Sequence, residues 1–202
     1  MGHRISLGAC ALLALTGCAS AGAEPPAASP PVAVERTHAP YADADVAFMQ
    51  GMIAHHAQAL EMTDLVPGRT TNETLLSLAE RIELTQQVEI TRMSRWLEAR
   101  GETVPEAGAS RHSDHGAHMP GMATPERMAQ LAAATGETFD RIFLETMIRH
   151  HEGALTMVAE LQAAGGGIEA EIYRFAADVD ADQRAEIARM QSLLTRIQRG
   201  AE

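Results

Sequence analysis

The residue pattern with the clearest chemical potential is an adjacent pair of histidines that lies between two methionines. It occurs twice with the same internal spacing, as Met52, His55, His56 and Met62, and as Met147, His150, His151 and Met157. Imidazole and thioether groups bind metals, and together they favour copper, especially Cu(I), over cations that prefer oxygen ligands. The repeated pattern therefore predicts a site for copper, or for silver as a second soft metal.

A second repeated pattern places a glutamate three residues after a glutamine, in the segment that follows each histidine pair. Gln86 and Glu89 form the first copy, and Gln183 and Glu186 form the second. At about 100° per residue, all four fall in the middle of an otherwise apolar helix face. Because a buried carboxylate needs a partner, we predict that the glutamates bind the metal or support its ligands. The glutamines are predicted to act as supporting residues.

Neighbouring residues of a helix point in different directions, so two adjacent histidines do not readily bind one metal ion together. We therefore expect one histidine of each pair to be a ligand and the other to be its hydrogen-bonded support. Asp45 and Asp140 also correspond between the two copies. They are far from the histidines along the helix axis and are predicted to be first-turn acids favoured by the helix dipole.

The stretch between the two copies carries further histidines and methionines, namely His112, His115, His118, Met119 and Met122. Glycine and proline interrupt this stretch, so a stable helix is not expected there. A short tract rich in His and Met is typical of a metal-capturing loop. The alternative is a solvated linker without a metal-binding role.

The elements that must position these residues are four long helices. Helical periodicity predicts them at about 43–66, 72–100, 138–164 and 168–199, with a shorter helix beginning at Pro125. No segment alternates with the period of a strand. The chain is therefore predicted to be all-α, a four-helix bundle made of two duplicated hairpins. The long connection between the hairpins allows a ferritin-like crossover or a simple up-down-up-down order.

The front of the chain has the features of an export signal. Its short apolar run cannot span a bilayer as a helix and ends in Leu-Thr-Gly-Cys, which resembles a bacterial lipobox. We predict a lipoprotein signal peptide over 1–17, lipid attachment at Cys18, a disordered tether over 18–40 and a folded domain over 41–202. An ordinary signal followed by an incidental cysteine is the alternative.

Composition excludes several classes of partner and site. The formal net charge is −11 and aromatic residues make up 3% of the chain, which argues against nucleic acid and anionic membrane surfaces as partners. The other cysteine, Cys10, lies in the predicted signal peptide. Processing would therefore leave no free thiol, and a thiolate metal site of the zinc-finger kind is not expected.

The repeated motifs resemble domain-of-unknown-function family 305 (DUF305). The residues that carry the resemblance are the segment Phe48 to Met62, its copy Phe143 to Met157, the two Gln-x-x-Glu-Ile-x-x-Met helices and Pro120-Gly121-Met122. The resemblance covers nearly everything from Tyr41 to Arg199. It implies a ferritin-like bundle, frequent export and, for some members, copper binding and copper tolerance.

The leading hypothesis is a lipid-anchored protein of the bacterial cell envelope that buffers, sequesters or hands over copper or silver. Its partners would be the metal ion, the membrane that holds its anchor, and a metal-exchange protein or a second copy of the chain. A ferritin-like di-metal oxidase or peroxidase that uses iron is the alternative, although the chain lacks the Glu-x-x-His of such enzymes. A haem-binding helical bundle is a third reading. The pattern favours a binding protein over an enzyme.

Overall fold

The computed structural model describes residues 41–105 and 119–200. Its helices are α1 (Asp43–Thr63), α2 (Glu73–Glu98), α3 (Pro125–Ala133), α4 (Gly136–Ala163) and α5 (Ala170–Gly200). The described residues form no strand, and the prediction of an all-α bundle is confirmed. None of these helices is both long and apolar enough to cross a membrane. The predicted signal peptide and tether lie outside the described residues, as do Cys18, His112, His115 and His118.

Local sequence signals set the ends of the helices. The side chain of Asn72 accepts hydrogen bonds from the first backbone N–H groups of α2, and Thr124 caps α3 in the same way. Pro125 occupies the first turn of α3, where no backbone N–H is needed. The first helix ends at Thr63, slightly before the predicted boundary, and the chain then turns through Gly68 at a φ of 77°.

Hydrogen bonds between the hairpins fix the directions of the helices. The N–H of Gly136, at the start of α4, donates to the carbonyl of Arg69 in the α1–α2 loop over 2.7 Å. At the opposite end, the N–H of Gly167 in the α4–α5 loop donates to Asp45 near the start of α1 over 2.6 Å. Helix α4 is therefore antiparallel to α1, and the connection between the hairpins runs the length of the bundle. Of the two orders that the sequence left open, the chain adopts the ferritin-like crossover.

The core consists of two apolar clusters with a polar layer between them. The first cluster includes Phe48, Met52, Trp96, Met157 and Phe175. The second lies towards the other end of the bundle and includes Met62, Leu75, Phe143, Met147 and Met190. The polar layer consists of eight buried residues from the middle parts of the four long helices: His55, His56, Gln86, Glu89, His150, His151, Gln183 and Glu186.

Asp45 and Asp140 hold the hairpins together away from this layer. Both carboxylates are buried. Asp45 accepts hydrogen bonds from the backbone N–H of Ala42 at 2.9 Å and from that of Gly167 at 2.6 Å. Asp140 accepts a hydrogen bond from the side-chain amide of Asn72 at 3.0 Å. Each acid therefore links one hairpin to the other.

Candidate metal centre

Each glutamate of the polar layer is paired with one histidine from the preceding helix. Nε2 of His56 lies 2.5 Å from Oε2 of Glu89, and Nε2 of His151 lies 2.7 Å from Oε2 of Glu186. A carboxylate that accepts a hydrogen bond from one ring nitrogen fixes the proton there and leaves the lone pair on the other. Nδ1 of both histidines is buried without a hydrogen-bond partner in the described part of the chain.

The other histidine of each pair meets its counterpart where α1 contacts α4. The ring centroids of His55 and His150 are 3.8 Å apart, and the ring planes are tilted by 33°. Nε2 of His55 lies 3.1 Å from the carbonyl oxygen of Pro120, which places its proton on Nε2. Nδ1 of His55 and Nε2 of His150 are buried and, within residues 41–105 and 119–200, accept no hydrogen bond.

The environment favours the neutral form of these two imidazoles. Burial, together with a smaller effect of the nearby His56, lowers the pKa of His55 to about 3. Burial also lowers the pKa of His150 well below its ordinary value, and the neighbouring His55 adds to the effect. A neutral imidazole is the form that binds a metal ion. Both rings can therefore act as ligands at neutral pH without releasing a proton.

The four methionines of the repeated motif are buried on both sides of the polar layer. Because α1 and α4 are antiparallel, Met52 shares the first apolar cluster with Met157. Met62 shares the second cluster with Met147. The sequence suggests pairs within a helix, whereas the fold pairs methionines from different helices. Thioether sulfur, a ligand suited to soft metals, therefore comes from both helices on each side of the imidazoles.

The end of the connection between the hairpins packs directly against this layer. We call Met119–Ala123 the docked segment. Besides the hydrogen bond from His55 to Pro120, the side chain of Gln58 bonds both the N–H and the carbonyl of the last residue of the segment, at 2.7 and 2.9 Å. Gly153 of α4 admits the segment, because a Cβ at this position would lie 2.0 Å from the carbonyl oxygen of Pro120.

The docked segment contains two of the predicted loop residues, Met119 and Met122. A Cβ added at Gly51 would lie 3.7 Å from Sδ of Met119 and 3.3 Å from Cε of Met157. The two thioether side chains therefore approach the same point of α1. Met122 is half-buried in the same segment. Because the three loop histidines lie outside the described residues, metal capture by the loop stays a prediction.

The donor set of the layer suits a soft metal ion. The two glutamines of the layer are buried, with Oε1 of Gln86 and Nε2 of Gln183 lacking hydrogen-bond partners in the described ranges. Within the same ranges, no group of three or more His, Cys, Asp and Glu side chains is arranged to hold a metal ion. What the layer offers is unpartnered imidazole nitrogen between two apolar clusters that each contain thioether sulfur, a combination that fits Cu(I) or Ag(I).

The chain resembles known proteins both in sequence and in fold. The profile of the family described as "Domain of unknown function (DUF305)" matches residues 45–194. The chain belongs to the DUF305 family. The crystal structure of a DUF305 fragment from Deinococcus radiodurans is 34% identical, with a TM-score of 0.68, covering 78% of this chain and 99% of that one. A DUF305 protein from Streptomyces coelicolor, assigned as secreted, is 29% identical with a TM-score of 0.66, covering 77% and 92%.

Structures of CopM are also similar to this DUF305 chain. CopM in its Cu(II)-bound form is 28% identical with a TM-score of 0.62, covering 75% of this chain and 96% of CopM. The Cu(I)-bound form is 25% identical with a TM-score of 0.59, and an Ag-bound form is 27% identical with a TM-score of 0.58. A DUF305-like fold therefore holds copper and silver in CopM. None of the curated proteins compared with the chain matches it.

Sequence reasoning missed the residues that seat the docked segment. Gln58 and Gly153 occupy equivalent positions in the two copies of the histidine motif, but their residue types differ. One copy supplies the amide that bonds the segment, and the other supplies the space that the segment fills. Several other positions of the two copies also differ, so the mismatch of Gln58 and Gly153 did not by itself point to a docked segment.

Proposed function

We propose that this DUF305 protein binds Cu(I) or Ag(I) in its polar layer and serves in metal buffering, sequestration or handover. The observation that carries the proposal is the set of four buried imidazoles, each of which has a nitrogen without a hydrogen-bond partner in the described residues. Thioether sulfurs lie on both sides of them. The copper-bound and silver-bound structures of CopM support the choice of metal.

Distinct roles are proposed for the residues of the layer. The metal-binding residues are His55, His56, His150 and His151, with sulfur from Met52, Met62, Met147 and Met157. Glu89 and Glu186 position His56 and His151 by accepting the Nε2 proton, in the manner of a carboxylate–histidine–metal triad. The carboxylates then act on the metal through the histidines, and they stabilise the positive charge that a bound ion brings into the core.

The cellular setting is part of the same proposal. The protein would be held at the extracytoplasmic face of a membrane by lipid on Cys18, with the loop residues His112, His115, His118, Met119 and Met122 making the first contact with the metal. The relative assigned as secreted supports an extracytoplasmic location. A metal-exchange protein, or a second copy of the chain, would accept the ion.

Competition with a chromogenic Cu(I) chelator tests metal binding in the full chain. The variant Met52→Leu/Met147→Leu keeps the volume of the core, and we expect its Cu(I) affinity to fall about tenfold or more because two thioether ligands are lost. The matched control is Met93→Leu/Met190→Leu, which changes two buried methionines of the Gln-x-x-Glu helices and should leave the affinity unchanged.

A second pair of substitutions tests the histidines themselves. His55→Gln/His150→Gln removes both of the facing imidazoles and should abolish tight Cu(I) binding, while far-UV circular dichroism reports whether the helices are retained. Wild-type affinity no greater than that of this variant would refute the proposal. If this variant does not fold, the Cu(I) affinity of Met52→Leu/Met147→Leu tests the proposal, because those substitutions conserve the volume of the core.

The geometry argues for copper over the two alternatives. A di-iron oxidase shares carboxylates between its metals, whereas Glu89 and Glu186 each accept a hydrogen bond from a different histidine. A haem between His55 and His150 would need space for a macrocycle, and their ring centroids are 3.8 Å apart. Oxygen consumption after loading with Fe(II), or a Soret band after addition of haem, would reverse this preference.

A further inference from the structure

A groove lined by three arginines lies between the start of α2 and the end of α5, outside the polar layer. Its volume is about 680 Å³, within the range typical of small-ligand sites. The lining consists of Glu73, Thr74, Ser77, Leu78, Arg81, Ala188, Arg189, Ser192, Leu193 and Arg196. Three cations and one carboxylate thus line this groove, although the whole chain has a formal net charge of −11.

Because the chain is internally duplicated, the residues that line this groove have counterparts at the other end of the bundle. We use that other end as the reference. Aligning Gln86–Met93 with Gln183–Met190 places Arg189 against Arg92, and Arg81 against Asp178. At the reference end of the bundle, Nη1 of Arg92 lies 3.1 Å from Oδ2 of Asp178, and its guanidinium lies 4.9 Å from the centroid of the ring of Phe175. The arginine there is neutralised by a carboxylate and packed on an aromatic ring.

At the groove, most of the aligned residues are smaller than their counterparts and one acid is replaced by a base, whereas Glu73 and Arg196 take the places of Ala170 and Ala99. Leu78 stands for Phe175, Leu193 for Trp96, Ser77 for Arg174, Ser192 for Arg95, and Arg81 for Asp178. The smaller side chains leave the space that forms the groove. The reversal of charge means that Arg189 has no counterpart of the ion pair between Arg92 and Asp178, although it acts electrostatically on Asp182. Both changes fall on the residues that line one groove, so the cavity and its charge arise together.

The groove carries a net positive charge, because three arginines and one glutamate line it. Within residues 41–105 and 119–200, neither Arg81 nor Arg189 forms an ion pair, and Arg196 contacts only the hydroxyl of Ser192, at 3.4 Å. Like charges that line one groove repel each other, and an anion between them would convert that repulsion into attraction. Guanidinium groups match the geometry of phosphate oxygens, and the hydroxyls of Ser77 and Ser192 can donate further hydrogen bonds.

We propose that this groove is a binding site for a phosphate group. The group could be carried by a small phosphorylated solute or by the headgroup of an anionic phospholipid, since the oxygens presented to the arginines are the same. Arg81 is the determining residue, because the equivalent residue at the other end of the bundle is the carboxylate that neutralises its arginine. The site is separate from the proposed metal centre and does not depend on it.

The test uses the full chain without added metal. Isothermal titration with inorganic pyrophosphate, in a buffer free of phosphate, probes the solute form. Co-sedimentation with phosphatidylglycerol vesicles, compared with phosphatidylcholine vesicles, probes the headgroup form. The variant Arg81→Asp recreates the ion pair of the other end and should weaken binding about tenfold or more while retaining the helical fold. Arg141→Asp is the matched control, since it makes the same change of charge at an exposed position of α4 outside the groove.

The outcomes separate the two sources and can reject the site. Pyrophosphate binding that is lost in Arg81→Asp and kept in Arg141→Asp assigns the site to a phosphorylated solute. Selective binding to phosphatidylglycerol with the same dependence on Arg81 assigns it to a lipid headgroup. Binding that is absent in both assays, or equally weakened by both substitutions, would overturn the proposal. Equal weakening by both substitutions would indicate a general effect of charge and not a site.

Discussion

At the scale of single residues, the histidines of the polar layer divide into two kinds. His56 and His151 are oriented by glutamates, whereas His55 and His150 face each other across the contact between α1 and α4. Adjacent residues on a helix point in different directions, and the structure gives each direction its own partner. Both kinds still present an unpartnered nitrogen within the described residues, so the division concerns orientation more than capacity to bind metal.

The orienting role of the glutamates leads to a specific prediction. Glu89→Gln keeps a hydrogen-bond acceptor near His56 but removes the charge that stabilises a metal-bound imidazole, so Cu(I) affinity should fall about 10- to 100-fold. Glu186→Gln should have a similar effect at His151. Chelator competition measures both, with Glu80→Gln on the exposed face of α2 as the control. Unchanged affinity in both variants would remove the glutamates from the site.

The low pKa of His55 makes stability depend on pH. The pKa is about 3 in the folded chain, against an ordinary value of 6.5. The unfolded state therefore takes up the proton first, and the free energy of unfolding should decrease as pH falls from 6.5 towards 3. Urea denaturation should show a smaller decrease for His55→Gln/His150→Gln over the same interval. Equal slopes in the two proteins would contradict neutral, buried imidazoles.

At the scale of elements, the docked segment depends on a close approach to α4. Gly153→Ala would place a Cβ 2.0 Å from the carbonyl oxygen of Pro120. The segment or the helix must then move, which should cost about 1–3 kcal/mol of unfolding free energy, as overpacking does. Gly200→Ala is the control, because nothing lies within 4 Å of the added carbon. Equal stability of the two variants in urea would show that the segment is not held at this point.

At the scale of the whole molecule, two similar hairpins associate around an approximate two-fold axis. The polar layer crosses the middle of all four long helices, and acids near the ends of the bundle tie each hairpin to the other. The proposed metal centre therefore requires both hairpins, because its histidines come equally from α1 and α4. A bound metal ion should therefore raise the free energy of unfolding, and a substitution that separates the hairpins should lower the metal affinity.

Removal of one of these ties tests this arrangement. Asp45→Ala deletes the acceptor of the backbone N–H groups of Gly167 and Ala42. Loss of a buried charged acceptor should lower the unfolding free energy by about 1–3 kcal/mol. Asp43→Ala is the matched control, since Asp43 is an exposed acid in the same first turn. A difference of less than about 0.5 kcal/mol between them in urea denaturation would contradict the role of Asp45.

The sequence was sufficient for the helices, for the duplication and for the membership of the polar layer. The helices and their buried faces rest on local information, namely helical periodicity, caps such as Asn72 and stops such as Gly68, whereas the duplication follows from comparing distant segments of the sequence. The burial of Glu89 and Glu186 also followed from their places on an apolar face, because periodicity tells which face of a helix turns inwards. The boundary of α1 was less accurate, since the turn after Thr63 is set by the loop that follows.

The tertiary structure decided what meets across the bundle. Met52 lies with Met157, and His55 lies against His150, because of the direction in which α4 runs. The local pattern of apolar residues does not reveal that direction, since it is the same for either one. The docking of Pro120 at Gly153 likewise depends on contacts between residues distant in sequence. Packing and hydrogen bonds there offset the entropic cost of closing a long connection. The sequence therefore determined which groups are buried, and the fold alone determined their neighbours, because burial is a property of one helix face whereas contact is a property of two.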